Sequence, residues 1–219
     1  MDRDYCLILA NGPWPVTEKV RQLSHDAVEV VACDGALDRG LRHELSIDVA
    51  IGDMDSVDQK NLELFSTKGG KVIENQDQHS NDLAKALEYC MMSGRKYTII
   101  IGALGGDAGH EWANILSCIS SGISVELIGK KTRIRTFSKG IRHSIEIGTG
   151  NTFSLFAIPF CDGVELSGAR YELMEERLDM GSQGLHNVAT RTNIEFSFQD
   201  GSLVLISSLN DQNSSASDS

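Results

Sequence analysis

The sequence predicts an α/β protein: a parallel sheet with covering helices, followed by a smaller all-β half. Short apolar runs alternate with longer amphipathic stretches up to about residue 129, the pattern of strands and helices in a layered structure. After Lys130 the period shortens to strand-like runs separated by Gly-rich breaks. Polar segments rich in Asp and Gly follow directly on several of the early runs.

The predicted strands of the first half are 5–10, 28–32, 49–51, 71–73, 97–101 and 125–128. Several are apolar on successive residues, as parallel strands covered on both faces should be. Among the intervening stretches, 81–93 sets Leu83, Ala86, Leu87 and Cys90 on one helical face, and 111–120 does the same with Ile115 and Cys118. In the second half, 132–137, 144–147, 153–158, 194–198 and 203–206 read as strands. The expected domains are therefore 1–130, a parallel α/β layer, and 131–209, a small sandwich or partial barrel. Residues 210–219 are rich in Ser, Asn and Asp and too poor in apolar groups to offset ordering entropy, which predicts a disordered tail.

At 219 residues, with 41% hydrophobic and 23% charged side chains, the chain has the composition of a folded globular protein. Its formal net charge of -11 argues against nucleic acid as a partner, because a phosphate backbone must be neutralised along a broad surface. A small anionic substrate stays permitted, since local cations, backbone N–H groups and a metal hold phosphates despite an unfavourable mean field. The five cysteines, Cys6, Cys33, Cys90, Cys118 and Cys161, are widely spaced and lie mostly in apolar stretches, as buried thiols of a reducing compartment do. The start Met1-Asp2-Arg3-Asp4 has no basic and apolar leader, and no apolar run reaches membrane-spanning length, so the expected location is the cytoplasm.

In a doubly wound, Rossmann-like sheet the ligand crevice lies beyond the carboxyl ends of the strands. Those positions here carry Asn11-Gly12, Asp34-Gly35, Gly52-Asp53-Met54-Asp55-Ser56 and Gly102-Ala103-Leu104-Gly105-Gly106. Asp53 and Asp55 are spaced so that both carboxylates can approach one hard cation, although Asp-rich turns also arise for local reasons. Asp82 opens the 81–93 helix, where a carboxylate serves either as a cap or as a metal ligand; Lys85, one turn on, is either a surface lysine or a phosphate contact. Gly105 and Gly106 match no standard phosphate-loop pattern, and His110 and Asn114 follow one helical turn apart, able to face the same crevice.

Taken in order, these segments resemble the thiamine pyrophosphokinase family, along residues 7–206. The family's Asp-Gly after the second strand is similar to Asp34-Gly35, its Gly-Asp-x-Asp-Ser to Gly52–Ser56, and its Thr-Asp-x-x-Lys-Ala to Asn81-Asp82-Leu83-Ala84-Lys85-Ala86. In the β half, Gly168-Ala169-Arg170-Tyr171, then Leu178, Gly181 and Gly184-Leu185-His186-Asn187, resemble its thiamine-side signature, with His186 in place of Ser. Where the family has Gly-Gly-Arg-x-Asp-His, this chain has Gly105-Gly106-Asp107-Ala108-Gly109-His110, and His79 stands at a further acidic position.

The resemblance implies an N-terminal domain binding Mg-ATP, a C-terminal β-sandwich, and a homodimer with its active sites between subunits. Carried over residue by residue, it implies Mg²⁺ on Asp53, Asp55 and Asp82, with Asp34 and Lys85 completing the catalytic set. It implies ATP contacts from Asn11, Gly35, Lys85, Gly105, Gly106, His110 and Asn114, and thiamine contacts from Gln78, His186 and Asn187. The implied reaction is pyrophosphoryl transfer from ATP to the thiamine hydroxyl. Its rivals are the same chemistry on another alcohol, such as a pterin, and a non-catalytic nucleotide- or thiamine-binding paralogue.

Overall fold

The computed structural model describes residues 4–209, so the tail expected at 210–219 lies outside the described residues. These residues form two compact units, one reaching Gly129 and including Arg135–Ser138, the other made of Lys130–Ile134 and the chain from Lys139.

The first unit is built on six parallel strands, β1 (Cys6–Leu9), β2 (Glu29–Cys33), β3 (Val49–Gly52), β4 (Lys71–Glu74), β5 (Tyr97–Ile101) and β6 (Ser124–Ile128), in the order β4-β3-β2-β1-β5-β6. Central β1 is completely buried from Cys6 to Leu9, and Val31, Ala32, Ile100 and Ile101 beside it are as dry. Covering both faces of a parallel sheet in this way needs helices between the strands. They are α1 (Thr17–Asp26), α2 (Ala36–Arg42), α3 (Gln59–Thr67), α4 (Asp82–Met92) and α5 (Ala108–Ser120). Helix α4 buries Leu83, Ala86, Leu87 and Cys90, the face its spacing predicts. Helix α5 begins three residues ahead of the predicted start because Asp107 caps it, accepting from the His110 N–H at 3.0 Å.

The strand β7 (Thr132–Thr136) leads into residues held in the first unit by a buried ion pair, Arg135 to Glu126 at 2.9 Å, with the Tyr97 hydroxyl donating to the same carboxylate at 2.8 Å. The second unit is antiparallel. Its β9 (Thr152–Ser167) pairs with β10 (Leu173–Asp179), β11 (Asn187–Val188), β12 (Asn193–Ser197) and β13 (Asp200–Ser208), and β12 pairs in turn with β8 (His143–Glu146).

Two departures from the sequence reading have plain causes. Strand β9 runs nine residues past its expected end at Ile158, through Pro159, which sits at a register shift against β13, where a missing N–H disrupts no regular ladder. Strand β10 was not expected because Leu-Met-Glu-Glu-Arg-Leu-Asp buries only Leu178 and shows no alternation; pairing with β9 makes it a strand.

At the sheet's centre the segments leaving β1 and β5 touch. The Gly12 N–H donates to the Gly102 carbonyl at 2.9 Å, and a Cβ on Gly102, at φ +79°, would lie 2.1 Å from the Ala10 oxygen. Gly102→Ala is therefore expected to lose at least about 3 kcal/mol, since strain and collision act together. Gly122→Ala, at φ +69° in open space, should lose only about 1 kcal/mol. Urea denaturation of both variants checks the difference, and equal losses would contradict it.

Candidate active site

The strand order reverses between β1 and β5: the chain passes outward from β1 to β4, then returns to the other side of β1 for β5 and β6. The loops diverge at such a point and leave a crevice at the carboxyl ends of the strands. A cavity of about 420 Å³ lies there, walled by Asn11 and Gly12 after β1, Asp34 after β2, Asp53 after β3 and Gly102 after β5, with the first turns of α4 and α5.

Asp34 holds φ +43°, uncommon for a residue with a side chain, and its carboxylate accepts from the Ser56 N–H at 3.4 Å. A Cβ at Gly35 would meet the Asn11 amide at 2.9 Å, so the absence of a side chain there makes room for Asn11. Asp53 faces the cavity and accepts from the Asp55 N–H at 3.2 Å, whereas Asp55 itself is exposed and is not part of the wall.

Asp82 does not cap its helix. Asn81 does, its side-chain oxygen accepting from the Ala84 N–H at 2.8 Å, which leaves the Asp82 carboxylate to the cavity. Lys85 is not a surface lysine: it is buried, and its ammonium donates to the Asn75 carbonyl at 2.9 Å and to Asp82 at 3.1 Å. Two of its three donors are thus fixed, and the head group is aimed beside Asp82. The Asn81 side-chain NH₂ reaches the Asn114 oxygen at 3.0 Å, and Asn114 donates to the Ala103 carbonyl at 3.1 Å, so three elements share one amide chain.

Gln78, Gly106 and His110 also line the cavity, but Gly35 and Gly105 do not. The Gln78 loop is shaped by Asp77, whose carboxylate accepts from the Ser80 hydroxyl at 2.7 Å and the His79 N–H at 3.0 Å. These bonds, Ser80 first, hold the Asp77 carboxyl below its ordinary pKa. Cys33 reaches the cavity wall, yet burial, then the Asp82 charge, pushes its thiol well above the ordinary value and leaves it protonated and without nucleophilic character.

The chemistry of this wall is one-sided. Six carboxylates line it, Asp34, Asp53, Asp77, Asp82, Asp107 and Glu111, and among the described residues lining it Lys85 is the one lysine or arginine. No group of three or more His, Cys, Asp or Glu in a metal-holding arrangement occurs among the described residues. Mg²⁺ does not need one: it is usually held by one or two carboxylates together with phosphates and water, and Asp53 and Asp82 facing one cavity fit that habit.

Residues 20–127, which carry most of this wall, match a family model described as the catalytic domain of thiamin pyrophosphokinase. Over that segment the chain matches the thiamine pyrophosphokinase family. It is 32% identical over 108 residues to "Thiamine pyrophosphokinase 1" of Oryza sativa subsp. japonica, a match covering 46% of this chain and 41% of that protein. Its match to that species' "Thiamine pyrophosphokinase 2" reaches 29% identity over 60% of this chain and 54% of the relative, so about half the length of these curated relatives is spanned. Among solved structures, the thiamine pyrophosphokinase of Bacillus subtilis superposes with a TM-score of 0.76 at 23% identity, covering 94% of this chain and 99% of that one. That of Geobacillus thermodenitrificans gives 0.77 at 18%, covering 95% and 99%. At these identities the solved structures establish a shared mixed α/β fold.

Two positions picked out by the thiamine pyrophosphokinase resemblance lie in the second unit. Asn187 is buried, its side-chain oxygen accepting from the Tyr171 and Val188 N–H groups and its NH₂ donating to the Tyr171 carbonyl at 2.8 Å. His186 is exposed at φ +55°. The sequence reading missed Asp77, Ser80 and Glu111. Asp77 and Ser80 carry a legible signal, an acid three residues before a hydroxyl ahead of a helix; Glu111 reads in the sequence only as the start of a helix.

Asn81→Ala is expected to cost about 1–2 kcal/mol, since it removes the cap and the bond to Asn114 together. Asn114→Ala should cost about 1 kcal/mol, and the double variant less than the sum, because both act through one shared bond. Thermal unfolding of the four proteins checks this; strict additivity would contradict the amide chain.

Proposed function

We propose that the chain is a thiamine pyrophosphokinase, transferring the pyrophosphoryl group of Mg-ATP to the hydroxyl of thiamine to give thiamine diphosphate and AMP. The observation that carries the reading is the convergence of Asp53, Asp82 and buried Lys85 on one cavity at the strand-order reversal, inside the segment matched by the catalytic-domain model. The first unit then acts as a Rossmann-like nucleotide domain, 1–130, and the second, 131–209, as a thiamine-side β-sandwich. The protein works as a cytoplasmic homodimer with active sites between subunits.

In this reading Asp53 and Asp82, with Asp55 just outside the wall, would hold Mg²⁺. When bound, the ion supplies charge neutralisation at the phosphates. Lys85, held by Asn75 and Asp82, offers its third donor to a phosphate oxygen and stabilises charge on the departing AMP. Asn11 and Gly35, with Gly105, Gly106, His110 and Asn114, orient the nucleotide. Asp34 accepts from the thiamine hydroxyl, whose oxygen attacks the β-phosphorus as the bond from that phosphorus to the α-phosphate oxygen breaks; the proton passes through Asp34 to water. Gln78 contacts the thiamine ring. Asn187 acts by fixing the turn at Tyr171, beside His186, on the thiamine side.

Product analysis with ATP, Mg²⁺ and thiamine should show thiamine diphosphate and AMP in equal amounts. Asp53→Asn and Asp82→Asn should each lower kcat at least about 100-fold with unchanged circular dichroism, and Asp55→Asn should lose less. AMP formed only with another alcohol would shift the substrate. Binding of ATP or thiamine without AMP release would make the chain a non-catalytic relative.

A further inference from the structure

Gly105 and Gly106 follow β5 and present two successive N–H groups, and both are already taken. Each donates to the same carboxylate oxygen of Glu111, Gly106 at 3.0 Å, so the two amides form a small concavity with an anion in it. That anion belongs to the protein. Glu111 is half-buried in the first turn of α5 and lines the cavity beside Gly106 and Asp107. Asp107 cannot exchange with it, because its own carboxylate is held as the cap of α5 on the His110 N–H.

We propose that Glu111 is an internal competitor of phosphate: its carboxylate occupies the amides that a phosphate oxygen of the nucleotide takes, and it must turn out before the triphosphate seats. The proposal rests on the reading that this cavity receives Mg-ATP. An amide N–H satisfied by a carboxylate offers little to a second anion, and a glutamate left in place would repel an incoming triphosphate in a wall that already carries five aspartates. The glutamate stem has three torsions and can swing towards solvent, so the contact is a reversible block. Its consequence is weakened binding of free phosphates, with tight binding reserved for ligands whose other contacts displace Glu111.

A purely structural role predicts the opposite. If Glu111 only clamps the glycine loop, its removal loosens the loop and weakens phosphate binding. Calorimetric titration with inorganic tripolyphosphate and Mg²⁺, on the wild type, Glu111→Ala, Glu111→Gln and Glu111→Asp, separates the two roles. The expected result is about tenfold tighter binding by Glu111→Ala, with Glu111→Gln between it and the wild type. Glu111→Asp keeps the negative charge at the helix start but is one methylene too short to reach both amides; it should also bind more tightly, and it serves if the alanine variant unfolds. Amide exchange followed by NMR should show Gly105 and Gly106 protected in the free wild type, unprotected in free Glu111→Ala, and protected again once tripolyphosphate is added. Unchanged or weaker tripolyphosphate binding in the folded variants overturns the proposal, and if the wild type still releases AMP from ATP and thiamine, the catalytic reading survives alone. Tighter binding in the variants, with no AMP released by any of the four proteins, supports the competitor and sinks the catalytic reading instead.

Discussion

The contact between Gly12 and Gly102 is the constraint on which the rest of the site depends. Strands β1 and β5 lie side by side, and the chain leaving each must turn away without colliding. Only two residues without side chains allow the Gly12 N–H to reach the Gly102 carbonyl, since a Cβ on Gly12 would sit 2.4 Å from that oxygen. Trp14 locks the same corner, its indole N–H donating to the Ala10 carbonyl at 2.7 Å and its ring carrying the Arg39 guanidinium 4.3 Å above it. With that corner closed, the loops after β2 and β3 on one side and the helix starts of α4 and α5 on the other are left to wall the cavity.

The electrostatics of the wall follow from what those loops and caps carry. Carboxylates crowded around one space repel one another, and a fold keeps such an arrangement only where cations or hydrogen-bond donors offset it. Backbone N–H groups engage Asp34, Asp53 and Asp107, Lys85 engages Asp82, and Ser80 with the His79 N–H engages Asp77. Burial of Lys85 matters as much as its charge. A lysine in water would lose rotamer freedom on meeting a phosphate, whereas this one is already fixed by the Asn75 carbonyl and Asp82. The glycine amides of the β5 loop are the exception in this scheme, because their anion comes from Glu111 on the following helix.

What the sequence makes legible divides along physical lines. Apolar runs such as Leu7-Ile8-Leu9 and Ile99-Ile100-Ile101 announce parallel strands because both of their faces must be dry, and residues just past such strands are cavity candidates by topology alone. Asp34 and Asp53 could be picked out for that reason; Asp82 and Lys85 were legible instead from their place in the first turn of the 81–93 helix and from the family resemblance. Roles decided by a neighbour in space could not. That Asn81 rather than Asp82 caps α4 is a choice between neighbouring candidates, and that Glu111 folds back six residues onto Gly105 depends on a bond whose partner no local pattern names. Strand β10 was hidden for the same reason, since a charged segment with one buried residue becomes a strand through its partner alone.

Paramagnetic relaxation tests the metal and phosphate site most directly. With Mn²⁺ in place of Mg²⁺, and an ATP analogue whose α,β-bridging oxygen is replaced by methylene so that no transfer occurs, the ion should broaden the amide resonances of Asp53, Asp82 and Lys85 first. Loss of those signals on adding Mn²⁺ with the analogue, and their retention in Asp53→Asn, is the result expected. Sharp resonances for all three while signals elsewhere in the protein broaden would contradict the assignment of this cavity as the site of Mg-ATP.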